Sequence, residues 1–169
     1  WRIWLEDVTN ERFMESDYFK NYMDLITKSG LLELLKENGI RLVIYLHPKF
    51  AQYIENFKGL PEDVVECIPF CAKPLNEIMM RAEMLITDYS SVCWDMMFMD
   101  KPVVFYQFDR DTYLQAHGSY IDFDTELPGD KTLEGDKVVE YVKDYIANGF
   151  QIKEEYRDDV NAFFMYKDD

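Results

Sequence analysis

Positive charge is scarce in this 169-residue sequence: 18 lysines and arginines stand against 33 acids, for a formal charge of -15. Nucleic-acid backbones are held by clustered cations, so a large footprint of that kind is excluded, and flat docking on an anionic bilayer is disfavoured for the same reason. A bound anion would have to be held by local geometry, through backbone amides and one or two placed cations, which leaves a small phosphorylated ligand open. Cysteine and histidine are also few. Cys67, Cys71 and Cys93 cannot all pair, and their apolar surroundings suggest reduced, buried thiols in a cytosolic protein. A metal site on Cys67 and Cys71 would need further ligands, and with His47 and His117 the only histidines it is discounted. No apolar run approaches the 18 or so residues of a membrane span, and no signal peptide precedes the first element. Seven glycines and six prolines against 48% hydrophobic residues exclude a disordered tail.

What is present fits one domain with a real core. The chain opens at "WRIWLEDVTNERF", apolar and without a start methionine, and is expected to be a piece of a longer protein. From Ser16 to Gly39, apolar residues at i, i+3 and i+4 predict a helix, or a pair interrupted at Gly30, capped by Ser16 and stopped at Asn38-Gly39. "IRLVIYLHP", "DVVECIPF", "MLITDY" and "KPVVFYQF" read as strands. Helices are expected over Phe50–Phe57, 74–82, and the "SSVCWDMMFMD" stretch from Ser90. Beyond Phe108 the pattern loosens into what reads as a long ordered loop with Gly118 and Pro128-Gly129, before closing helices over 135–147 and 151–166. Alternating strands and helices imply right-handed crossovers and a parallel sheet covered on both faces, an α/β doubly wound, Rossmann-like fold.

In such a sheet ligands bind beyond the carboxyl ends of the strands. His47, the Asp88–Ser91 turn and 107–109 all occupy strand-exit positions and are expected to converge. Ser90 or Ser91 can cap the helix that follows, or a phosphate can sit on its free N–H groups with a serine hydroxyl donating to it. His47, before Pro48, is either a loop histidine bonded to local backbone or a partner for a phosphate oxygen. Asp95 suits ordering hydroxyls or backbone around an anion, or pairing with Lys101, and Asp88 with Tyr89 is as suited to bracing the turn as to meeting a ligand. Arg2, at the exit of what reads as a truncated first strand, would suit a phosphate, against the alternative of a solvated terminal arginine. The aromatic-rich stretch from Tyr106 to Tyr120 either walls a nucleotide or packs.

"LITDYSSVCWDMMFMDKPVVFYQFDRDTY", followed by "GSYIDFDTELPG", resembles the C-terminal half of the CDP-glycerol glycerophosphotransferase family, the teichoic acid polymerases and primases. "WR" resembles the end of that family's first C-domain strand, "YLHP" its histidine-proline turn, and "EEYRDDVNAFFMYKDD" its terminal helix. The resemblance implies the C-terminal, donor-binding half of a GT-B type fold, in an enzyme that transfers glycerol phosphate from CDP-glycerol to a polymer or lipid-linked acceptor hydroxyl and releases CMP. It implies His47, Ser90 and Ser91, with Arg2, at the donor pyrophosphate, His47 carrying the catalytic role, and a second histidine on an N-terminal domain of the same enzyme. The 169 residues alone are then expected to be inactive. The full enzyme is expected in the cytoplasm, peripheral on the inner face of the membrane, with no cofactor beyond its substrate and with the metal requirement left open.

Other readings stay open. CDP-ribitol could replace CDP-glycerol. A sugar-nucleotide GT-B transferase would call for a glycine-rich turn that "DYSS" lacks. A non-catalytic α/β binding module of the receiver kind needs an acidic pair after its first strand, which "WRIWLED" supplies poorly.

Overall fold

The computed structural model describes residues 2–164, and Trp1 and the last residues of the expected terminal helix lie outside them. The described chain gathers into two compact units, one up to Ile78 and the other from Met79 onward.

In the first unit a short helix, α1 (Asn10–Met14), precedes the expected pair. Ser16 caps α2 (Asp17–Thr27) by accepting the Phe19 N–H at 3.2 Å. Gly30 then takes φ +86°, which only glycine adopts freely, and this splits the apolar stretch into α2 and α3 (Leu31–Glu37). Arg2 is extended and a 3-10 turn follows at Ile3–Leu5, while the truncated first strand expected to end at Arg2 lies outside the described residues. Strand β1 (Leu42–Ile44) lies parallel to β2 (Val65–Cys67), and the expected helix between them is a 3-10 segment, Pro48–Phe57. Aromatic rings fill this core. Phe13 stacks on Tyr53 at 3.9 Å and meets Phe50 edge-on at 5.6 Å, while Phe19 packs on Phe57 at 5.2 Å.

Helix α4 covers Leu75–Arg81. In the second unit β3 (Leu85–Thr87) leads to α5 (Val92–Phe98) and then to β4 (Val103–Tyr106), which is parallel to β3. All four residues of β4 are buried, as expected of a central parallel strand. Two elements arise within the stretch read as a loop. Arg110–His117 is a helix, α6, ended by Gly118 at φ +67°, and Asp130–Thr132 is a strand, β5, parallel to β4 on its other side. Gly129 enters that strand so closely that a Cβ would lie 2.5 Å from the Val103 carbonyl oxygen, which reserves the position for glycine. Helices α7 (Gly135–Ala147) and α8 (Glu154–Phe163) close the unit. Its core joins Cys93, Met96 and Met97 of α5 to Phe105, Phe123, Leu127, Ile152 and Val160. The α/β class with parallel strands and helical crossovers is the class expected from the sequence.

A charged pair ties α8 to the sheet. Asp130 is 4% exposed, and Lys153 Nζ lies 2.8 Å from each of its carboxylate oxygens. The Tyr156 hydroxyl donates to the same carboxylate at 3.2 Å, and the ammonium sits 5.0 and 5.2 Å from the Tyr141 and Tyr145 ring centres. Burial first, and the Asp130 charge second, push the Tyr145 and Tyr156 hydroxyls well above the usual tyrosine range. Lys153→Met leaves a buried carboxylate without its cation and is expected to cost about 3–5 kcal/mol in urea unfolding. Because both tyrosines resist ionisation only when folded, their contribution is complete below a pH of about 10 and is lost as pH rises above it. Alkaline unfolding that is shallower in Tyr145→Phe is the measurement that checks this.

Candidate functional site

Parallel pairing of β3 with β4 releases both strands at one edge, and the polar groups expected there meet. The Gln107 side chain, 1% exposed, points its Nε2 at the Asp88 carbonyl, 3.4 Å away, while its backbone N–H donates to Thr132 on β5 at 2.8 Å. The Asp88 carboxylate accepts the Tyr89 N–H at 2.6 Å, the geometry of a braced turn. The Tyr89 hydroxyl then donates to Asp109 at 3.1 Å. Its ring lies flat against Tyr113 at 3.7 Å and near Phe123 at 5.4 Å, and Tyr113 stacks in turn on His117 at 4.6 Å.

Ser91 occupies the N-cap position of α5, yet its hydroxyl makes no cap bond. The reason is its backbone: at φ -64° and ψ -15° the residue is already helical, whereas a capping serine needs extended angles to swing its oxygen over the following N–H groups. The first turn is closed instead by backbone, with Cys93 N–H donating to the Ser90 carbonyl and Trp94 N–H to that of Ser91. The capping role allowed from sequence is therefore not taken by Ser91.

The Asp88–Ser91 turn lines a cleft of about 290 Å³ within the second unit. Its lining draws Asp88, Tyr89, Ser90 and Ser91 from the turn after β3, Cys93 and Trp94 from α5, Phe105 from β4, Tyr113 from α6, and the stretch from Gly118 to Ile121 with Phe123 and Leu127. Few polar groups among aromatic walls is the usual make-up of a small-molecule site. Asp95 is exposed on α5 and does not line the cleft, and Lys101, its suggested partner, gives its ammonium to the Met79, Met80 and Ala82 carbonyls. Tyr113, Ser119, Tyr120, Phe123 and Leu127 were not singled out one by one from sequence. The density of aromatics between Tyr106 and Tyr120 was the available signal, and the helical signature of Asp109 before α6 and Gly118 after it would have placed them.

His47 and Arg2 belong to the first unit. His47 is exposed three residues beyond β1, and its Nδ1 accepts the Lys49 N–H at 3.2 Å. A neutral ring that accepts at Nδ1 carries its proton on Nε2, so the local cap also fixes the histidine as an Nε2–H donor. The solvated arginine alternative fails for Arg2, which is 1% exposed with its guanidinium 4.8 Å from the Tyr18 ring centre. The thiols differ from expectation in one place. Cys93 is buried and pushed up to about 12 by desolvation, Cys67 is half-buried and also raised by desolvation, but Cys71 is exposed in a turn at φ +64°. Alkylation of the folded protein at pH 8 is therefore expected to modify Cys71 and spare Cys93 until denaturant is added, as read by peptide mass spectrometry.

A family model described as CDP-glycerol:poly(glycerophosphate) glycerophosphotransferase matches residues 11–169. The minor teichoic acid biosynthesis protein GgaB of Bacillus subtilis (strain 168) is 30% identical over 159 residues, covering 94% of this chain and 17% of GgaB. The structure of the wall teichoic acid polymerase TagF matches over 98% of this chain and 36% of its own, with a TM-score of 0.72 at 20% identity. A variant of TagF soaked with CDPG matches over 83% of this chain and 33% of its own, with a TM-score of 0.66 at 22% identity. The chain thus spans about a sixth of the curated relative and about a third of the solved polymerase. The TagF likeness is one of fold.

Proposed function

Because the chain belongs to the CDP-glycerol:poly(glycerophosphate) glycerophosphotransferase family, we propose that its second unit holds the nucleotide donor of a transferase that builds a teichoic acid or related cell-surface polymer. The donor is CDP-glycerol, its pyrophosphate against the hydroxyls of Ser90 and Ser91. The acceptor oxygen of a polymer or lipid-linked primer forms a bond to the glycerol-bearing phosphorus as the bond to the bridging pyrophosphate oxygen breaks, and CMP leaves. The observation that carries this reading is the cleft itself: two serines beside a strand exit, with Ser91 at the N-cap position not spent on a side-chain cap, among aromatic lining residues in a chain of this family. The CDPG soak of the structurally similar TagF supports the choice of donor.

Such a transfer asks the protein for charge stabilisation and in-line placement more than for covalent chemistry. The serine hydroxyls supply the first by donating to phosphate oxygens. His47, held as an Nε2–H donor by its bond to Lys49, is the proposed contribution of the first unit, bonding a donor phosphoryl oxygen and steadying the leaving CMP. Asp88, Tyr89 and Asp109 keep the serine turn rigid through the bonds already described. The base that receives the acceptor proton is proposed to lie outside these 169 residues, in the remainder of the enzyme.

Calorimetric titration of the full-length enzyme with CDP-glycerol, CDP-ribitol, a UDP-sugar and CMP tests this. Cytidine nucleotides should bind and the UDP-sugar should not. A hydrogen bond to a charged group contributes about 1.5–3 kcal/mol, so Ser90→Ala with Ser91→Ala should weaken donor binding by at least about tenfold. Unchanged affinity in the double variant removes the serines from the site, and tighter binding of CDP-ribitol reassigns the alditol.

A further inference from the structure

Beside Asp88–Ser91, a single stretch, Gly118 to Leu127, supplies much of the cleft lining: Gly118, Ser119, Tyr120, Ile121, Phe123 and Leu127. It is fastened firmly at both ends. Gly118 N–H closes α6 on the Leu114 carbonyl at 2.8 Å, and Lys131, half-buried on β5, donates to the carbonyls of Leu127 at 2.6 Å and Gly129 at 3.2 Å. Its middle is held differently. The Arg110 guanidinium pairs with Asp124 at 2.6 Å and lies 5.9 Å from the ring centre of Phe123, the ring that stacks near Tyr89. Asp109, immediately before Arg110, accepts the Tyr89 hydroxyl. Two consecutive residues at the start of α6 therefore hold two parts of the cleft lining: Asp109 holds the serine-bearing turn, and Arg110 holds the middle of the 118–127 stretch.

The strengths of these grips differ. The Tyr89–Tyr113 stack at 3.7 Å is a close-packed contact behind the turn, whereas the Asp124 side chain is 70% exposed. An ion pair with one partner so open to water contributes little and yields to salt. The middle of the stretch is thus seated by the buried Phe123 ring and also held by an exposed ion pair, and the ion pair is the weaker hold and the one suited to yield as a ligand enters.

Given the reading of the cleft as the donor site, we propose that Arg110 is a positioning residue: its pairing with Asp124 closes residues 118–127 over the cleft and, through Phe123 and Tyr89, sets the Ser90–Ser91 turn for the donor. Tyr89 is then the link between the closing segment and the phosphate wall.

Hydrogen exchange by mass spectrometry on the full-length enzyme tests the latch without any ligand. In Arg110→Gln, amide exchange across 119–126 should rise about two- to fivefold, the span that an exposed ion pair commands. Arg110→Lys should restore part of the protection, salt at about 1 M should bring the wild type toward the Gln variant, and exchange in α7 should not change. In steady-state assays of the same variant, KM for CDP-glycerol should rise by the same factor at constant kcat, because closure must be completed at the expense of binding. Unchanged exchange across 119–126 overturns the latch, as does a rise that α7 and α8 share, since that marks general loosening. If exchange responds but the wild-type enzyme does not bind CDP-glycerol at all, the donor reading falls and the positioning role falls with it.

Discussion

The candidate site depends on one constraint, the parallel pairing of β3 with a fully buried β4. Side by side and in the same direction, Leu85–Thr87 and Val103–Tyr106 must leave the sheet at the same edge. The Asp88–Ser91 turn and Gln107–Asp109 are about twenty positions apart in the chain and become neighbours there. Burial of β4 on both faces fixes the register, since a slip of one residue would exchange the side chains packed on α5 with those on the opposite face. The Gln107 contact to the Asp88 carbonyl and the Tyr89 bond to Asp109 then join two loops already brought together.

The local chemistry of the turn follows from that placement. Asp88 spends one carboxylate oxygen on the backbone of the next residue, Tyr89 stacks on Tyr113, and the short hydroxyls of Ser90 and Ser91 line the cleft beside them. Ser91 enters α5 with helical angles and makes no cap bond. In a chain of net charge -15 an anion site must rest on such short-range donors, because the long-range field opposes it. The Asp130–Lys153 pair, which joins β5 to the start of α8, braces the same unit away from the serine turn.

Much of this was legible in the residues. The β-branched runs gave four strands, Gly30 and Ser16 gave the break and the cap of the first helices, and the strand-exit rule singled out Asp88–Ser91 and 107–109, which meet, together with His47, which belongs to the first unit. Three elements were missed for physical reasons. Asp130–Thr132 is short and polar, with nothing of a β-branched run, and becomes a strand because β4 offers it backbone partners. Helix α6 has no buried residue, so periodicity could not reveal it, although Asp109 and Gly118 marked its ends. Helix α1 is a five-residue turn capped by Thr9, which is too short for a periodic signal. The serines, which line the cleft, were singled out because they sit at a strand exit, while Arg110 and Asp124 were not, because a surface ion pair has no sequence signature.

The central claim is that the donor's pyrophosphate lies against Ser90 and Ser91, and the structure of the full-length enzyme with CDP-glycerol bound tests it most directly. The expected result is a pyrophosphate oxygen at about 2.5–3.0 Å from at least one of the two serine hydroxyls. A fully ordered donor whose phosphates lie away from the Asp88–Ser91 turn, with the cleft empty, would contradict it.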